Sequence, residues 1–283
     1  VFLIDPHIHC VSRTMDDYER LAMSGVVAVS EPAFWAGFDR SSSDSFADYF
    51  RQLTEFEPTR AASVGIRHFT WLCINAKEAE NVSLSREVIA RIPQFLDRPN
   101  VLGIGEIGLN KNTRNECTIF MEQARFAIDH NQLILIHTPH LIDKLKGTTL
   151  ILDMLREVGA DPARVLVDHV EEHTIGMVLD RGYWAGMTLY PISKMTPHRA
   201  ADMLETYGSE RLCINAAADW GVSDPFNLHR CMLDYRARGH SRQKLLDIFH
   251  NNPARFMGQC PKFDIKPLTI EPQSIEQDQP VRA

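Results

Sequence analysis

Six side chains able to ligate a metal stand at or just past the ends of short apolar runs. His7 and His9 close "VFLIDPHIH", Glu106 ends "VLGIGE", His137 ends "LILIH", His169 ends "VLVDH", and Asp219 ends "RLCINAAAD". Imidazole nitrogens and carboxylate oxygens in combination suit Zn2+, Mn2+, Fe2+ or Ni2+. Glu106 is the most informative of the six. A buried carboxylate without a partner is costly, so an acid at the end of an apolar strand needs a Lys, an Arg or a metal beside it. A Glu that lends one oxygen to each of two cations would hold them about 3.5–4 Å apart. Gly105 and Gly108 are expected to leave the ligand shell uncrowded, and Gly103 to allow tight packing inside the fold. A single His at a strand end is commonly a packed residue, and HxH pairs recur by chance. Convergence from five strand ends is what points to a metal centre.

Those residues need a scaffold that aims several strand ends at one point. Eight apolar runs recur along the chain: 1–5, 26–31, 68–74, 101–106, 133–137, 164–169, 184–189 and 211–216, most followed by an amphipathic stretch such as 43–56, 115–130 or 148–159. Near-continuous apolar character marks strands buried on both faces. Strand–helix alternation repeated eight times implies parallel βαβ units, and the economical closure is a (β/α)8 TIM-like barrel, allowing distortion, in a single domain. A doubly wound open sheet is the other arrangement, but no GxGxxG follows an early strand. In a parallel barrel the chemistry sits at the C-terminal strand ends, where all six residues fall. His7 and His9, two apart, point the same way from a strand. The barrel is expected over 1–262 and a polar, non-periodic tail over 263–283.

Composition bounds the rest. The 283 residues are 44% hydrophobic and 24% charged, ample for one large core, and the formal net charge of -7 argues against a broad duplex nucleic-acid surface. No run reaches membrane-spanning length, and no signal-peptide pattern opens the chain. Six cysteines without a CxxC pair fit free thiols in a reducing cytoplasm. The expected partner is a small-molecule substrate.

"DPHIH", "IGEIGLN", "FMEQARFAIDHNQLILIHT", "VDH" and a late Asp together resemble the TatD-type metal-dependent hydrolases of the amidohydrolase superfamily, over roughly residues 1–260. The resemblance implies a distorted barrel with a two-metal centre, Zn2+ favoured. His7, His9 and Asp219 would bind one cation, His137 and His169 the other, and Glu106 would bridge them, in place of the carbamylated Lys of related enzymes. The cations would activate a bridging water for attack on a phosphoester, amide or lactone, with Asp219 as proton acceptor.

The chain departs from the family pattern at strand eight. A direct match places Asn215 and Ala217 where acids are usual, so Asp219 requires a slip of two residues. The family turn "GVHPH" is matched to "GIRHF", which puts Arg67 and His68 at the substrate side. His140, His173, Tyr190, Lys194 and Trp220 are the other candidate substrate contacts, with Arg67 or Lys194 suited to an anion. Two functions follow: a two-metal hydrolase, or a metal-binding barrel with altered catalysis that serves a pathway or assembly role.

Overall fold

The computed structural model describes residues 2–140 and 142–266. All eight expected strands form: β1 Leu3–Asp5, β2 Val26–Pro32, β3 Arg67–Leu72, β4 Val101–Gly108, β5 Leu133–His137, β6 Val165–Asp168, β7 Trp184–Thr188 and β8 Leu212–Asn215. They pair in parallel in the order β1 to β8. Backbone bonds just beyond the strand ends bring the last strand back to the first, from Ala217 N to His7 O at 2.7 Å and from His9 N to Ala218 O at 3.0 Å. The result is a nearly closed TIM-like barrel with alternating helices.

Two apolar layers hold it together. The interior is filled by alternate strand residues, among them Ile4, Ala28, Trp71, Leu102, Leu135, Leu166 and Cys213. The opposite faces of the strands pack under the helices through Val29, Leu72, Ile104, Ile107, Ile136, Val167 and Ile214. The floor of the barrel is sealed by helix Asn252–Met257, whose Phe256 ring lies 6.2 Å from Trp71 and 5.6 Å from Trp184. Asn252 anchors that helix by donating to the Leu212 carbonyl at 2.9 Å. Phe263 packs on Phe69 at 4.8 Å, so contact with the floor continues past residue 262. The tail expected over 263–283 lies outside the described residues from position 267 onward.

Strand β4 is irregular where it matters. Against β5 it sets Ile104 opposite Ile134 and Ile107 opposite Ile136, one residue more on β4 than on its partner. Such a bulge re-aims side chains. Ile104 and Ile107 face the helices, and Glu106 turns into the barrel.

Gly103 packs tightly inside the fold as expected, while Gly105 and Gly108 serve a different purpose from the one expected of them. A Cβ at Gly103 would sit 2.2 Å from Leu133 O, at Gly105 2.6 Å from Leu135 Cβ, and at Gly108 1.9 Å from His137 O. They let β4 approach β5 closely and do not clear space around the carboxylate of Glu106.

Candidate metal centre

Glu106 sits among four imidazoles. Its Oε2 lies 3.0 Å from His137 Nδ1, 3.1 Å from His169 Nε2 and 3.8 Å from His7 Nε2. His9 Nε2 is 3.1 Å from His7 Nε2, and His137 Nδ1 is 3.1 Å from His169 Nε2. All five residues are buried.

The tautomers of two of these rings follow from their outer partners. His7 Nδ1 lies 2.6 Å from Asp168 Oδ2, so it carries a proton and Nε2 is the nitrogen turned toward Glu106. His169 Nδ1 lies 2.7 Å from Thr188 Oγ1, with the same consequence for its Nε2. An outer carboxylate or hydroxyl that fixes the ring in this way is the usual support of a metal-ligating histidine. His9 Nδ1 and His137 Nε2 are buried and without a partner among the described residues.

The charges have clear causes. Burial alone would raise the pKa of Glu106, but His137 and His7 hold it well below the ordinary carboxylate range. Burial would lower that of His7, and the Glu106 and Asp168 carboxylates outweigh it. His9 is pushed well down by burial and by His7, and His169 by burial and by Lys194. A buried anionic carboxylate ringed by imidazole nitrogens is a donor set that fits divalent cations. His7, Glu106 and His169 offer ligand atoms all within 4.8 Å of one another.

Asp168 is the hub that the sequence did not reveal. Besides His7 it accepts from the backbone N–H of His169 at 2.7 Å, and Asn215 Nδ2 donates to both its oxygens at 2.9 Å. Thr188 Oγ1 donates to Asn215 Oδ1 at 2.9 Å and completes the ring. Asn215 thus has a defined task at the position where the family pattern carries an acid. Gly186 in β7 makes the room, because a Cβ there would lie 2.3 Å from Asp168 Oδ1. Lys144 fixes the turn after β6 by donating to the His169 carbonyl at 2.6 Å, where His169 takes a left-handed φ of 62°. Burial lowers the Lys144 pKa to about 8.

A cavity of about 140 Å3 opens beside these ligands, lined also by Phe34, Lys77, His140, Tyr190, Ser193, Lys194, Ala217 and Asp219. Asp219 reaches it from beyond β8, while the position nearer the strand end is Ala217. Asp219 Oδ1 accepts from Tyr190 Oη at 3.1 Å and from Gly221 N at 2.7 Å. Burial and the Asp219 charge raise the Tyr190 pKa to about 12, so its hydroxyl keeps its proton. Burial lowers the His140 pKa to about 3, so this ring is neutral in ordinary buffers. Lys77, Phe34, Ser193 and Asn75 were not picked out from sequence. Asn75 follows β3 and sends its Nδ2 to Glu106 Oε1 at 3.4 Å.

Three expected substrate contacts lie elsewhere. Arg67 and His68 open β3, so they stand at the opposite end of the barrel from the cavity. The family turn was matched too early in the chain, and the residues that leave β3 on the catalytic side are 73–75. Arg67 Nε donates to the Lys266 carbonyl at 3.2 Å. His68 turns outward beneath the helices and meets Glu31 Oε2 at 2.8 Å. Cys10, Glu31 and His68 also place donor atoms near one another, but Glu31 Oε1 is taken by Val11 N at 2.8 Å. That group is a closed hydrogen-bond network tying the first βα loop to β2 and β3. His173 is exposed and does not line the cavity. Trp220 stands at the mouth, its ring 5.1 Å from Phe34.

Residues 4–215 match the family model described as TatD related DNase. The chain belongs to this family of metal-dependent hydrolases. An uncharacterized metal-dependent hydrolase of Methanocaldococcus jannaschii is 28% identical over 256 residues, covering 90% of this chain and 99% of the relative. The crystal structure of a TatD-like protein from Archaeoglobus fulgidus superimposes with a TM-score of 0.74 at 24% identity, covering 90% of this chain and 99% of that one. The phosphotriesterase homology protein from Escherichia coli, solved with phosphate in its active site, gives a TM-score of 0.67 at 18% identity, covering 90% and 98%. Among the described residues no helix is long and apolar enough to cross a membrane, and all six cysteines are free.

Proposed function

We propose that this chain is a two-metal hydrolase of a small molecule, cleaving a phosphoester, amide or lactone. The observation that carries the proposal is the convergence of four buried imidazoles on one buried carboxylate, with two of the rings locked so that Nε2 faces inward. His7, His9, Glu106, His137 and His169 would hold the cations, Zn2+ first among the candidates. Bound there, the cations would supply an activated water and polarise the scissile group. Asp219 has one oxygen held by Tyr190 and Gly221, which leaves the other as proton acceptor. The phosphate held by the Escherichia coli structure supports the phosphoester option. The net charge of -7 supports a small substrate over an extended duplex, and the free cysteines support a cytoplasmic setting. Asn215 and Ala217 at strand eight favour the second reading, a metal-binding barrel with a pathway or assembly role.

The test is reconstitution with Zn2+ or Mn2+, followed by elemental analysis and turnover on a panel of phosphoesters, lactones and amides. Wild-type protein should carry close to two metals per chain. Glu106→Gln should lose metal and turnover while its circular dichroism is unchanged. Asp219→Asn should keep most of the metal and slow turnover about 10²-fold. Full loading of wild type with no turnover across the panel would favour the second reading. Normal turnover by Glu106→Gln would remove the mechanism.

A further inference from the structure

The cavity beside the ligands measures about 140 Å3, well under the roughly 300 Å3 at which pockets begin to enclose a whole drug-sized ligand. Only the reacting group of a larger substrate fits inside it. What that group carries, and where the rest of the molecule lies, can be read from the walls and the rim.

The walls are cationic. Lys77 and Lys194 reach the cavity from the segments after β3 and β7. Neither pairs with a carboxylate within 4.0 Å among the described residues. Lys194 lies over the Tyr190 ring at 5.2 Å, and Lys77 over the Trp35 ring at 4.6 Å. Glu106 and Asp219 are the carboxylates that line this space, and the Asp168 charge lies behind His7. A single divalent cation together with the two ammonium groups already exceeds their combined charge, and a second cation widens the excess. Electroneutrality in a confined, low-dielectric site then calls for an anionic substrate.

The rim is apolar. Phe38, Ile142, Ile192, Trp220 and Val222 are exposed to between 47 and 77%, and they come from the loops after β2, β5, β7 and β8. Four separate βα loops therefore carry large apolar side chains to the catalytic end of the barrel. Phe34 joins Trp220 to the centre: it stacks on His9 at 3.9 Å and stands 5.1 Å from the Trp220 ring. Ile192 adjoins Ser193 of the wall and Val222 adjoins Gly221, which donates to Asp219, and exposed apolar residues beside a polar pocket mark a binding surface.

We infer that the substrate is an anionic amphiphile, a phosphate or carboxylate head group borne on an apolar chain. This assignment rests on the hydrolase reading for the position of the cations. The head occupies the cavity against Lys77 and Lys194, and the chain lies over Phe34 and Trp220 toward Ile192 and Val222.

The experiment measures binding, so that it stands apart from turnover. Methylphosphonate, octylphosphonate and neutral 1-octanol are titrated calorimetrically into Zn2+-loaded full-length protein. Octylphosphonate should bind roughly 30-fold or more tighter than methylphosphonate, since each methylene reaching apolar surface contributes up to about fourfold. Octanol should not bind measurably. Ile192→Ser/Val222→Ser should remove most of the chain-length gain and leave methylphosphonate affinity unchanged, while Lys194→Gln should weaken both phosphonates about 10-fold. Sedimentation with phosphatidylcholine vesicles, with and without phosphatidic acid, assigns the source. Acid-dependent capture supports an amphiphile presented in a bilayer, and soluble-probe binding alone supports a free one. Equal affinity for the two phosphonates, or a chain-length gain that survives the double variant, overturns the inference. Tight octylphosphonate binding without turnover on the panel would sink the hydrolase reading and leave this one standing. Turnover without chain-length dependence would do the reverse.

Discussion

Asp168 never touches the cavity, yet it decides how His7 presents itself. With Asn215 donating to both of its oxygens and the His169 N–H to one, the carboxylate can accept only if it stays ionised. Burial works against that, and His169 and His7 more than compensate, holding its pKa well below the ordinary range. Asp168→Asn would set an amide N–H against donors on at least one side, either His7 Nδ1 or Asn215 Nδ2. The expected outcome is a loss of 10–100-fold in metal affinity, the usual cost of removing an outer partner. Competition with a chromogenic chelator measures it, and far-UV circular dichroism should not change. Wild-type affinity in Asp168→Asn would show that the His7 tautomer is set in some other way.

The close contact between β4 and β5 is a property of two elements. Gly108 has its missing Cβ pointed at the His137 carbonyl, 1.9 Å away, and at the His137 backbone N at 3.0 Å. Gly108→Ala must push the strands apart at His137, a candidate ligand. A loss of about 1–3 kcal/mol or more is expected from urea unfolding, as for an overpacked core, together with weaker metal binding. An alanine accepted at no cost would mean that β4 can shift without disturbing His137. The strands themselves were legible, because continuous apolar runs bounded by polar turns have one economical parallel arrangement. His7, His9, Glu106, His137 and His169 were legible for a related reason: a polar residue ending an apolar run stands out against it. The bulge in β4 was not, since it depends on register with β5. Asp168, Lys77 and Phe34 were hidden because each owes its role to residues far away in the chain. Arg67 and His68 were misplaced by a local match that ignored where β3 begins.

At the scale of the whole barrel, the candidate centre would work as a clamp. Its candidate ligands come from beyond β1 on one wall and from β4, β5 and the turn after β6 on the other, and they meet across the interior. Four imidazoles and a carboxylate packed together in a buried site repel through their lone pairs unless a proton or a cation sits among them. Binding energy at such a site is also folding energy. A cation at a thousandfold excess over its Kd adds about 4 kcal/mol, and for a chain of this size each kcal/mol raises Tm by about 2–4 °C. The prediction is a Tm rise on the order of 10 °C when chelated protein is titrated with Zn2+, reversed by excess chelator. Glu106→Gln should flatten the response, because Glu106 is the carboxylate on which the nitrogens converge, while Ile192→Ser/Val222→Ser, at the rim, should respond as wild type does. Differential scanning calorimetry at matched free-metal concentrations reads all three. If the Tm of wild type does not move with added cation, the imidazoles are held by protons alone, and the barrel needs no metal to bring its two walls together.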